Sequence, residues 1–214
     1  VSFDAVAPWY RALETIVFGE ALQRCRVACL GEIQSPRRAL IVGEGNGRFL
    51  CQLLRAHPSV QVDCLDASEP MLRLARRLLA NEKPDRTERV RWLHRDITQW
   101  EAPQNHYDLV VTHFLLDCFP EGELAEVVMK LAAAAKPEAE WLLADFRLPD
   151  RGFARPRARL WLAAMYEFFR FTARIRAREL IDPSPFLQAT GFTLGRQHLS
   201  RSGMLKSELW RRNP

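Results

Sequence analysis

No window of the chain reaches the run of about 18 apolar residues that a membrane-spanning helix needs, and the opening lacks the basic-then-apolar order of a signal peptide. Neither internal repeats nor a low-complexity tract is present. Cysteine occurs at 25, 29, 51, 64 and 118, with no C-x-x-C pair and no histidine at zinc-finger spacing. The expectation is therefore buried, reduced thiols, no metal ion and a cytoplasmic setting. What remains is ordinary globular material. With 214 residues, 48% hydrophobic and 27% charged, one sizeable core and a single domain over 1–214 are expected. The net charge of +5 admits nucleic acid, a membrane surface or an acidic substrate as partner, and equally a moderately basic small enzyme, which is the favoured reading.

The stretch Arg38-Ala39-Leu40-Ile41-Val42-Gly43-Glu44-Gly45-Asn46-Gly47-Arg48-Phe49-Leu50 reads as strand, tight turn, helix. Glycine tolerates positive φ and carries no Cβ, so Gly43, Gly45 and Gly47 let backbone amides approach a ligand, and a helix N-terminus follows at once. A nucleotide-like ligand is implied. The dinucleotide fingerprint G-x-G-x-x-G needs glycine where this chain has Arg48, and the phosphate-loop ending Gly-Lys-Ser/Thr is missing too.

An acid that grips ribose is expected about 20 residues on, at the end of the next strand. Asp66 ends the run Ser59–Leu65, ahead of Ser68, which suits an N-cap, and Pro70, which suits a first helical turn. The competing reading is an aspartate that serves only its own turn.

The series Gly43-x-Gly45-x-Gly47, Asp66 after the second strand, Asp96 after the third (Val90–Ile97) and Tyr107-Asp108-Leu109-Val110-Val111 in the fourth resembles the class I S-adenosylmethionine-dependent methyltransferases over residues 38–146. Ser207-Glu208-Leu209-Trp210 is compatible with that family's last strand, and Phe3-Asp4-Ala5-Val6-Ala7-Pro8-Trp9-Tyr10 is similar to the start of ubiquinone/menaquinone C-methyltransferases. The resemblance implies a Rossmann-like α/β fold: seven strands, mostly parallel with an antiparallel last strand, helices on both faces, an N-terminal helical cap over 1–35 and a helical insert over 148–190. It implies S-adenosylmethionine as cofactor and S-adenosylhomocysteine as product. Asp96 would then hold the exocyclic amine of adenine and Ile97 would pack on the ring, with Ala67 and Thr112 completing the cofactor contacts. One departure stands out: family members often carry an acid two residues before the first glycine, where this chain has Ile41, and Glu44 either takes over that role or is a solvated turn residue.

The apolar fourth strand, Leu109–His113, delivers His113 to the carboxyl edge of the sheet, with Asp117 close behind. His113 is the leading candidate for a base or substrate-orienting group and Asp117 competes with it; a core histidine is the plain alternative. No Asn/Asp-Pro-Pro-Tyr/Phe tetrad follows the strand, which disfavours amine methylation on nucleic-acid bases. Helices are expected over 47–56 and 69–80, then a surface loop over 81–88. A helix from Pro120 to about Ala135, stopped by Pro137, should precede a fifth strand over 140–146, and a terminal hairpin should close the sheet. Trp9, Tyr10 and Phe18, together with Trp161, Met165, Tyr166 and Phe169 of the insert, either line a substrate cavity or cover the sheet, and Arg147 or Arg155 would hold an acidic group on the acceptor.

The reading that combines these is methyl transfer to a small, partly apolar or aromatic acceptor. RNA or protein methylation, a non-catalytic scaffold that binds the cofactor, and a Rossmann oxidoreductase stand behind it in that order.

Overall fold

The computed structural model describes residues 20–149 and 180–212. Seven strands form one sheet in the order β3-β2-β1-β4-β5-β7-β6: β1 (Arg38–Val42), β2 (Gln61–Asp66), β3 (Val90–His94), β4 (Tyr107–His113), β5 (Ala135–Phe146), β6 (Phe192–Ser200) and β7 (Leu205–Arg212). The pairs among β1 to β5 are parallel. The hairpin β6–β7 adds on with β7 antiparallel to both β5 and β6. The strand order reverses between β1 and β4, so the carboxyl ends of those strands open a crevice of the kind in which open α/β sheets bind ligands.

The central strands are buried because both faces are covered. Leu40 and Val42 of β1 point into one cluster with Trp141, Leu143 and Trp210. Ala39 and Ile41 point into the other, with Phe49, Leu50, Leu53 and Leu142. This two-residue alternation makes Ile41, 1% exposed, a core residue. Helices α1 (Ala21–Val27), α2 (Arg48–Ala56), α3 (Glu69–Glu82), α4 (Glu121–Ala134) and α5 (Ser184–Ala189) lie around the sheet. Ser68 caps α3 by accepting from the Met71 amide at 3.4 Å, and Pro70 sits in its first turn.

Two expectations are corrected. Helix α3 runs on to Glu82 and residues Pro84–Arg89 form a 3-10 helix instead of a loop, because Pro84 fits a first turn and the Lys83 amide still bonds to Leu79 O. Pro137 does not stop a helix; α4 ends at Ala134 and β5 begins at once. The β4–β5 register shifts between Tyr107 and Leu109, and β7 joins only from Glu140, so Pro137 lies where no ladder bond is required of it. Of the N-terminal helical cap expected over 1–35, α1 and the 3-10 turn Leu30–Glu32 are seen, while residues 1–19 and the 150–179 part of the insert lie outside the described residues. No helix among the described residues is long and apolar enough to cross a membrane.

Candidate active site

The glycine turn leaves β1 with φ of 70°, 73° and 88° at Gly43, Gly45 and Gly47. Gly43 N donates to Leu65 O at 2.9 Å, fastening the turn to β2. Gly43 and Gly45 line a cavity at the carboxyl ends of β1, β2 and β4, together with Asp66, Ala67, Asp96, Ile97 and His113. These are the expected residues that the fold brings together. Asp66 Oδ1 accepts from Ser68 N at 2.8 Å, while Asp96 Oδ1 accepts from Thr98 N at 2.9 Å and Thr98 Oγ1 at 2.8 Å. Each carboxylate thus serves its own turn and also faces the cavity; the turn bond holds it in place.

Five expected contacts lie elsewhere. Thr112 is fully buried and its hydroxyl accepts from Trp141 Nε1 at 2.8 Å, so it joins β4 to β5 and does not line the cavity. Gly47 caps α2, and a Cβ there would stand 2.8 Å from Ala75 Cα; its role is to let α2 approach α3. Glu44 turns inward and accepts from Leu50 N at 3.0 Å, and burial pushes its carboxyl up to about 7. It neither lines the cavity nor is solvated. Asp117 is buried in the 3-10 turn Leu116–Cys118, off the cavity wall, with Cys118 Sγ 3.6 Å from its Oδ1. Its charge, after burial itself, raises the carboxyl of Asp145, whose Oδ2 has no hydrogen-bond partner among the described residues. Arg147 stands beside the β6–β7 turn, its amide bonded to Met204 O at 2.9 Å. Trp9, Tyr10, Trp161 and Tyr166 lie outside the described residues.

His113 is buried and meets Phe49 edge to face at 4.4 Å. Burial first, and then the charge of Arg26, depress its pKa well below 6.5, so the ring is neutral at pH 7. Arg26, from α1, is 5% exposed and lines the cavity, its guanidinium 5.3 Å from the Phe114 ring. Phe114 is itself unusual: its φ is +53°, a cost for a bulky side chain, fixed by its amide bonding to Ala144 O at 2.7 Å. With Leu115 and Phe119 it makes an apolar wall. Sequence reasoning missed Arg26, Phe114, Leu115 and Phe119, because no motif marks the first and only the backbone turn after β4 aims the others.

Residues 39–138 match the family model for the methyltransferase domain. Together with the glycine turn and the two strand-end carboxylates, that match decides the family. Over that stretch, just under half of its length, the chain is a methyltransferase domain of the class I S-adenosylmethionine-dependent kind. It is 28% identical over 152 residues to the demethylmenaquinone methyltransferase of Thermus thermophilus, a match that covers 70% of this chain and 66% of that protein. Among solved structures, an O-methyltransferase family protein from Burkholderia thailandensis superposes with a TM-score of 0.69 at 19% identity, covering 97% of this chain and 61% of that one. The 1,6-didemethyltoxoflavin-N1-methyltransferase of the same organism, solved with its substrate and S-adenosylhomocysteine, gives a TM-score of 0.69 at 15% identity over 98% and 85% of the two chains. This methyltransferase chain therefore spans just under two thirds of the Thermus protein and of the first of these structures. The cofactor of the family is S-adenosylmethionine.

The cavity suits that cofactor chemically: glycines without side chains, two carboxylates that offer only acceptors to hydroxyl and amine donors, and a buried guanidinium fit to meet a carboxylate.

Proposed function

We propose that this methyltransferase domain methylates a small, partly apolar, ring-bearing acceptor. In this reading Gly43 and Gly45 admit the cofactor's backbone-facing edge, Asp66 accepts from its ribose hydroxyls, Asp96 and Ala67–Ile97 flank its adenine side, and Arg26 meets its carboxylate. S-adenosylmethionine supplies a methyl group on a sulfonium, already electrophilic, so the protein's contribution is largely alignment of the attacking atom. The observation that carries the acceptor class is the wall of Phe114, Leu115 and Phe119 beside neutral His113. Flat apolar rings pack on such a wall, and His113 offers one imidazole nitrogen as a hydrogen-bond acceptor to orient a hydroxyl or amine. The relatives named for demethylmenaquinone and didemethyltoxoflavin act on ring-bearing acceptors and support this class. A nucleic-acid acceptor is less favoured: among the described residues Arg73 and Arg76 face Glu69, Arg86 pairs with Asp85 and Arg91 with Asp63, so these four arginines are engaged by the chain's own acids.

The test is transfer of labelled methyl from S-adenosylmethionine to a panel of quinols, phenols, thiols, RNA and protein. Label entering an organic-extractable ring compound supports the reading, whereas label entering only RNA or protein refutes it. His113→Ala should leave S-adenosylhomocysteine affinity near wild type and lower kcat by roughly 10- to 100-fold. Because its pKa lies well below 6.5, His113 should impose no inflection on the wild-type rate between pH 7 and 8.

A further inference from the structure

Away from the cofactor cavity, three side chains of different donor type converge between the segment before β1 and the terminal hairpin. Cys29 Sγ, a carboxylate oxygen of Glu32 and a ring nitrogen of His198 all lie within 4.8 Å of one another. Cys29 and Glu32 face the same way because the 3-10 turn closes between them, Glu32 N bonding to Cys29 O at 3.1 Å, and three residues make one turn of such a helix. His198 arrives from β6, directly opposite Ser207 of β7, and the Ser207 hydroxyl lies 3.5 Å from Cys29 Sγ. No local spacing in the chain announces this set, since His198 lies far in sequence from Cys29 and Glu32.

We propose that Cys29, Glu32 and His198 form a structural site for a divalent borderline metal ion, zinc above all. A thiolate, an imidazole and a carboxylate are the donors zinc takes, with water in the fourth position. In a tetrahedral zinc site such donors stand roughly 3.3–3.6 Å apart. His198 Nε2 is now 2.7 Å from Glu32 Oε1, so these two must open by about half an ångström while the sulfur closes from within the 4.8 Å envelope. The exposed imidazole, with 46% of its side chain accessible, makes that adjustment by side-chain rotation and leaves a route for the ion. The outer contacts are in place: Arg196 Nε donates to Glu32 Oε2 at 2.6 Å and fixes the carboxylate plane, and Ser207 braces the sulfur. On binding, the Cys29 thiol gives its proton to solvent and the sulfur bonds to the metal as thiolate. The ion would clip α1 and the 3-10 turn to the β6–β7 hairpin, holding the segment that delivers Arg26 to the cavity.

The untagged chain, stripped with chelator, is titrated with zinc chloride against a competing chromophoric chelator and, separately, with cobalt(II) chloride. One equivalent of zinc at micromolar or tighter affinity, a rise in melting temperature, and a thiolate-to-cobalt charge-transfer band are expected. His198→Gln and Glu32→Gln, both partly exposed and so tolerant of change, should each lose at least about tenfold in affinity. Cys29→Ser should abolish the charge-transfer band. Absence of stoichiometric zinc binding, affinity unchanged in folded His198→Gln, or cobalt binding without the sulfur band each overturns the proposal. None of these readouts requires the cofactor or methyl transfer.

Discussion

Glu44 stands between two glycines of the turn after β1, yet its carboxyl points at the start of α2, where it accepts from Leu50 N and is shut off from water. Burial raises its pKa from 4.5 to about 7. The folded chain therefore holds a proton that the unfolded chain has lost, across the window from pH 4.5 to 7, and stability attributable to this group falls as pH rises through that window. Glu44→Gln keeps an acceptor for Leu50 and removes the charge. Its stability relative to wild type should grow by about 3 kcal/mol between pH 5 and 8, read from urea unfolding at each pH; a difference that does not change with pH contradicts the assignment. Arg26 belongs at the same scale. If its guanidinium meets the cofactor's carboxylate, Arg26→Met weakens S-adenosylhomocysteine by roughly 10- to 100-fold while hardly changing 5′-methylthioadenosine, which lacks that carboxylate. Equal losses for both ligands would place Arg26 in a purely structural role beside Phe114.

At the scale of elements, Gly47 decides how two helices meet. Its φ of 88° and the 2.8 Å that would separate an added Cβ from Ala75 Cα mean that α2 packs on α3 only with glycine at this position. Gly47→Ala should cost about 1–3 kcal/mol, with a lower urea midpoint at unchanged m, and an unchanged midpoint would show that the turn relaxes freely. The pattern of what could be read from the chain follows from locality. Asp66 and Asp96 were legible because each sits at a strand end and bonds to the residue two places on, so sequence neighbours fix its position. Thr112 was not, because its direction is settled by Trp141 across the β4–β5 pair. Ile41 looked like a lost cofactor acid, but strand alternation buries it against α2, so its side chain answers to the core. Arg26 arrives from an element without a motif, and Phe114 owes its place to a left-handed backbone that no residue type announces.

At the scale of the whole molecule, the sheet order places β1 and β4 side by side with their carboxyl ends open, and Asp66, which ends β2, and Asp96, two residues past β3, line that crevice. The seven strands, the parallel core and the antiparallel last strand were all expected from the family resemblance, and the apolar runs of β1, β4 and β5 name those strands in their own right. The length of β5 was not, because the register shift that absorbs Pro137 depends on its partners. The proposed cofactor site joins the Gly43–Gly45 turn to the two carboxylates. Calorimetric titration with S-adenosylhomocysteine, with NADH as the control, tests this most directly in the wild type and in the double variant Asp66→Asn/Asp96→Asn. One site of micromolar or tighter affinity is expected in the wild type, with no heat from NADH and a loss of about 100-fold or more in a double variant that unfolds at the wild-type temperature. Undiminished affinity in that folded variant, or NADH binding as well as S-adenosylhomocysteine, would contradict this assignment.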